Sequence, residues 1–135
     1  MKLRYMLDTN ICIYVAKLQP PQVKARFERL TPGQLIMSVI TYGELYYGAN
    51  KSNQRTRALA ALDKLVQDIP VEDLPATASK AYGEIRDALE KQGRMIGNND
   101  LWIGAHAIAL DVTLATNNER EFKRIAGLSV ENWTK

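Results

Sequence analysis

The sequence has one cysteine, one histidine and no long apolar run. A single cysteine, Cys12, excludes an internal disulfide framework. Cys12 and His106 are the only soft ligand candidates, and a structural zinc site usually takes about four, so zinc is not expected. One histidine also excludes a two-histidine ribonuclease mechanism by count. No apolar stretch approaches the ~18 residues that would suggest a membrane span. The opening run, Met1-Lys2-Leu3-Arg4-Tyr5-Met6-Leu7, carries charge inside a short apolar segment, whereas a secretory signal needs a longer one. The expectation is a cytoplasmic protein with no membrane contact.

What is present reads as an ordinary globule. The 135 residues fit one domain, expected over 1–135, and can bury a core without staples. The apolar fraction is 46% and the charged fraction 24%. A net charge of +3 is compatible with a nucleic-acid partner but points to one only weakly.

Short apolar runs alternate with helical periodicities. Strands are expected at Tyr5-Met6-Leu7, Leu35-Ile36-Met37, Ile69 to Val71, Thr113-Leu114-Ala115 and Leu128 to Val130. Helices are expected at Asn10 to Val15, Gln22 to Leu30, Tyr42 to Ala49, Arg55 to Gln67, Ala76 to Gln92, Asp100 to Leu110 and Glu119 to Ile125. Ala78, Tyr82, Ile85 and Leu89 form the stripe of the clearest helix, and Gly93 is its stop. The helix from Asp100 has little polar surface and should be central and buried. Asn98-Asn99 reads as a turn. This alternation predicts an α/β fold, with a mainly parallel sheet covered on both faces.

Ligands of such sheets bind beyond the carboxyl ends of the strands. Asp8 directly follows the first strand. Glu44 follows the second, in the expected first turn of a helix. Asp100 begins the buried helix. Converging carboxylates repel unless a cation lies between them, and oxygen ligands select Mg²⁺ or Mn²⁺. Such an ion polarises a phosphoryl oxygen and lowers the pKa of bound water. Each residue also has a purely structural reading. Asp8-Thr9-Asn10 could be a helix cap, and Thr41-Tyr42-Gly43-Glu44 matches a capping box. Asp100 could simply sit at the positive end of a helix dipole.

Four stretches in order resemble the PIN-domain nucleases. They are Met6-Leu7-Asp8-Thr9-Asn10, then Ser38 to Gly48 with Glu44, then Gly97-Asn98-Asn99-Asp100 through Ala107, then Leu114-Ala115-Thr116-Asn117-Asn118-Glu119-Arg120-Glu121-Phe122. Within that family they look most like the VapC toxins of type II toxin–antitoxin systems. The resemblance implies a three-layer α/β/α sandwich and Mg²⁺- or Mn²⁺-dependent cleavage of RNA, with tRNA as the family-based guess. It implies a cognate VapB antitoxin as partner, and Asp8, Glu44 and Asp100 as the acidic cluster, with Asp8 and Asp100 on the metal. Many relatives carry Thr-x-Asp in the last stretch, where this chain has Thr116-Asn117-Asn118. Glu121, one helical turn on, is the candidate to replace that acid, and its alternative reading is a solvated helix residue. Thr9 and Thr116 are candidate water-positioning hydroxyls.

His106 lies six residues beyond Asp100, about 240° around the helix, and should not face the cluster. It reads as a packing or surface residue, and Cys12 as a small core residue. Lys17, Lys24, Arg26 and Arg29 in the first two helices, with Arg86, Lys91 and Arg94 later, are either a solvated face or an RNA track. Tyr42, Leu45, Tyr46 and Tyr47 exceed what one helix face can bury, so a partner chain is expected there, either the antitoxin or a second copy in a homodimer. Two enzyme rivals fail on motif. A haloacid-dehalogenase-like phosphatase wants Asp-x-Asp, but Asn10 stands second. A response-regulator receiver wants a late Lys where Thr116-Asn117-Asn118 stands. The alternative from another class is a catalytically inactive PIN-like module that only binds RNA or protein.

Overall fold

The computed structural model describes residues 4–135, so Met1-Lys2-Leu3 of the charged opening run lies outside the described residues. Five strands form one sheet: β1 (Tyr5–Leu7), β2 (Leu35–Ser38), β3 (Val71–Glu72), β4 (Thr113–Thr116) and β5 (Val130–Asn132). The order across it is β3-β2-β1-β4-β5, and every neighbouring pair is parallel. Seven helices connect and cover them: α1 (Thr9–Lys17), α2 (Pro21–Glu28), α3 (Val39–Lys51), α4 (Arg55–Asp68), α5 (Ala76–Gln92), α6 (Asn98–Leu110) and α7 (Glu119–Phe122).

The central strands β1, β2 and β4 are buried at every position because both faces of the sheet are covered. Their side chains still alternate with the two-residue period of a strand. Tyr5, Leu7, Leu35, Met37 and Ala115 enter one core with Ile11 and Val15 of α1 and Leu62 and Leu65 of α4. Met6, Ile36 and Leu114 enter the other with Leu89 of α5, Leu101 and Ile103 of α6, and Phe122 of α7. The result is the three-layer α/β/α sandwich.

Helix α6 is the central buried one, as its composition predicts. Leu101, Ile103, Gly104, Ala105, His106 and Ala107 are all buried. Gly104 allows close packing: a Cβ there would lie 2.6 Å from Ile125 Cδ1, and that side chain would have to move. Gly93 ends α5 with φ +65°, a left-handed conformation that glycine adopts without a Cβ clash.

Several boundaries differ from expectation: α1 is longer at both ends, α2 stops at Glu28 rather than Leu30, and α7 stops at Phe122 rather than Ile125. Helix α3 begins at Val39, not Tyr42, because Ser38 caps it by accepting from the Ile40 amide at 3.1 Å. Val39 and Ile40 are β-branched and look like strand by propensity, but the cap outweighs that preference. Glu44 therefore lies in the second turn, and the capping-box reading of Thr41 to Glu44 is wrong. Asn98 and Asn99 are the first two residues of α6 rather than a turn. Strand β3 begins at Val71 rather than Ile69, and β5 is shifted to Val130–Asn132.

Candidate active site

The strand order changes direction at β1: β2 lies on one side and β4 on the other. The crevice beyond the carboxyl ends of β1 and β4 is the topological switch point where open α/β sheets bind ligands. Asp8 follows β1 directly and is the N-cap of α1, its Oδ1 accepting from the Ile11 amide at 3.0 Å. Its other oxygen accepts from the Thr116 hydroxyl at the end of β4. The Asp8 amide in turn donates to the Ala115 carbonyl at 3.0 Å. Asp8 is thus both the cap of α1 and part of a pocket lining.

Glu44 comes from α3 and Asp100 from the first turn of α6. Glu44 Oε1 accepts from the Thr9 hydroxyl at 2.5 Å, and Oε2 from the Asn99 amide at 3.3 Å. Asp8, Thr9, Asn10, Glu44, Asp100, Asn118 and Phe122 line one small pocket of about 150 Å³. Asn118 precedes α7 and donates its side-chain amide to Glu121. Glu121 is not part of that lining, but its charge acts on Asp100 more than those of Asp8 and Glu44 do.

Burial pushes the Asp8 carboxyl up to about 6, with the Glu44 charge adding and the Thr116 and Ile11 hydrogen bonds opposing. Burial also raises Asp100 to about 6, helped by Glu121, then Asp8 and Glu44. A cation between the two would return both to the ionised form.

Among the described residues, no three His, Cys, Asp or Glu side chains form a ready-made metal cage. That donor set does not suit zinc, which wants about four protein ligands. It does suit Mg²⁺ or Mn²⁺, which keep several waters and need one or two carboxylates. Asp8 and Asp100 fit such an ion by charge, by oxygen chemistry and by their raised pKa values.

His106 faces away from the pocket, as helix geometry predicts. It is buried with Nδ1 2.8 Å from Ser38 Oγ, beneath the β2–α3 junction, and burial lowers its pKa. Cys12 is fully buried, and burial pushes its thiol up, so it is an inert core residue. Sequence reasoning missed Asn99 and Asn10. The run Asn98-Asn99-Asp100 held the signal for Asn99, but only the approach of α6 to α3 shows that its amide meets Glu44.

A mainly parallel three-layer sandwich with carboxylates at its switch point defines the class. The PIN-domain profile matches residues 5–128. The chain is 43% identical over 132 residues to the tRNA(fMet)-specific endonuclease VapC of Shigella flexneri, covering 98% of this chain and 99% of that protein. It is 42% identical over 131 residues to ribonuclease VapC2 of Haemophilus influenzae strain Rd, covering 97% and 98%. The crystal structure of VapBC2 from Rickettsia felis, bound to a fragment of promoter DNA, superposes with a TM-score of 0.89 at 41% identity, covering 97% of this chain and 99% of that one. The chain belongs to the PIN-domain family, and within it to the VapC ribonucleases. Among the described residues, no helix is long and apolar enough to cross a membrane.

Proposed function

We propose that this chain is the toxin of a toxin–antitoxin pair, an endoribonuclease that cleaves tRNA with Mg²⁺ or Mn²⁺ held by Asp8 and Asp100. The observation that carries it is the convergence of Asp8, Glu44 and Asp100, from three distant stretches, on one pocket. The bound cation supplies positive charge to a phosphoryl oxygen and a water of lowered pKa. Thr116 and the Ile11 amide hold the Asp8 carboxylate, and Thr9 and Asn99 aim that of Glu44. Glu44 is placed to accept a proton from the attacking water. Water adds to phosphorus, the bond to the 3′ oxygen breaks, and the products carry a 5′-phosphate and a 3′-hydroxyl.

The antitoxin surface is an apolar groove of about 540 Å³ between α1, α3 and α4. Ile13, Ala16, Leu45, Gly48 and Leu62 line it, and Thr9 and Glu44 stand at its end beside the acidic pocket. An amphipathic antitoxin segment laid there would approach the site directly. Of the aromatic group read from sequence, Leu45 faces this groove, whereas Tyr47 lines a separate cleft, with the Lys51 ammonium 4.6 Å from its ring centre.

The test is cleavage of tRNA by the purified chain after any co-purifying partner is stripped away. Cleavage is expected with Mg²⁺ or Mn²⁺ and should stop with EDTA. Intact tRNA beside folded, metal-loaded protein would sink the enzyme reading and favour the inactive binding module.

A further inference from the structure

A cleft of about 930 Å³ lies beside the acidic pocket rather than over it. Tyr14 and Lys17 of α1, Lys24 of α2, Asn117 and Thr134 are among its lining residues, and none of the lining is acidic. A chain of side chains joins it to the site. Asn10 lines the acidic pocket and its amide meets Asn117 Oδ1 at 3.4 Å. The Asn117 amide donates to the Tyr14 hydroxyl at 3.2 Å. Asn10, Tyr14 and Lys17 are spaced i, i+4 and i+7, so they form one stripe along α1.

Several cations elsewhere are paired within the fold. Arg86 pairs with Glu90 at 3.4 Å and Lys91 with Asp87 at 2.9 Å along α5. Arg26 pairs with Glu131 and lies over the Tyr5 and Trp133 rings. Lys17 and Lys24 are exposed, have no ion-pair partner among the described residues and line the cleft, Lys17 from the ridge of α1 that also borders the apolar groove. An acidic pocket repels a polyanion, so the strand it cuts must be held by positive charge nearby.

Building on the ribonuclease reading, we propose that this cleft binds the RNA backbone on one side of the scissile phosphate, with Lys17 and Lys24 on phosphates and the Tyr14 hydroxyl as a neutral donor. From Asn10 to Lys17 the helix rises about 10 Å, so Lys17 meets the backbone a short way along the strand from the cut.

The test measures binding of a fluorescein-labelled single-stranded RNA dodecamer across a salt series, in the non-cleaving Asp8→Asn protein. Adding Lys17→Gln and Lys24→Gln should weaken binding about tenfold and lower the salt slope by about 1.4, since each single-strand phosphate contact contributes about 0.7. Adding Arg86→Gln and Lys91→Gln instead, an equal loss of charge, should change affinity less than about twofold. Equal losses in both pairs would mean net charge alone, and no loss in either would empty the cleft; both overturn the proposal. Failure of the Asp8→Asn protein to bind RNA at all would instead overturn the ribonuclease reading beneath it.

Discussion

Asp8 and Glu44 bring the same charge to one pocket but are held differently. Asp8 is placed by backbone: it ends β1, its amide pairs with β4, and its carboxylate caps α1. Glu44 sits in the middle of α3, and its carboxylate is placed by two side chains, Thr9 and Asn99. Asp8 is 5% exposed, whereas Glu44 is half-buried and shares its surroundings with the apolar groove. A charge fixed by the sheet cannot retreat from its low-dielectric surroundings, so burial raises its pKa and a cation relieves it. A charge carried on a helix surface can be retuned by its neighbours. The comparison separates a residue built to bind an ion from one built to act on the water or on the substrate.

The sharpest way to break that distinction is a pair of substitutions. Asp8→Asn and Glu44→Gln should each slow RNA cleavage by about a hundredfold or more. Only Asp8→Asn should raise the Mg²⁺ concentration needed for half-maximal rate. Asn can still cap α1, so the metal-free melting temperature of Asp8→Asn should not fall. Equal shifts in Mg²⁺ dependence for both variants would erase the difference between the two carboxylates.

A second effect is thermal. Folding raises Asp8 and Asp100 from 3.8 to about 6. A raised carboxyl contributes stability that is fully present below the unfolded value and lost as pH rises through the folded one. The metal-free protein should therefore lose stability from these groups between about pH 4 and pH 7. His106, with its lowered pKa, acts in the opposite sense as pH falls. Mg²⁺ cancels the carboxylate effect but not that of His106, so the gain in melting temperature on adding Mg²⁺ is the quantity to compare. Scanning calorimetry should show a larger gain at pH 7.5 than at pH 5. An equal gain at both would place the cation elsewhere.

The smallest effect is at Glu121. Its charge raises Asp100, yet it is held by the Asn118 amide and lies outside the pocket lining. Glu121→Gln should change the cleavage rate by less than about threefold, since the pair acts through charge over a distance. It should also lower the Asp100 pKa in an NMR titration. A loss comparable to that of Asp8→Asn would make Glu121 a direct ligand.

The sequence alone determined the layers and most elements, because strand and helix periodicities are local and the apolar runs are strong. Tyr5 to Leu7, Ala76 to Gln92 and the buried helix beyond Asp100 were legible from side-chain pattern and from Gly93. Asp8, Glu44 and Asp100 were legible as candidates, since each follows a strand or opens a helix and the four ordered stretches carry the family resemblance. Local pattern failed at Val39-Ile40, where a buried serine cap overrode β-propensity and moved Glu44 into the second turn. It could not show that Asn99 meets Glu44 or that Asn10 meets Asn117. Those contacts join residues 55 and 107 positions apart. Only packing distant elements beside the same sheet edge brings such side chains within hydrogen-bond reach, and no periodicity in the chain encodes that approach.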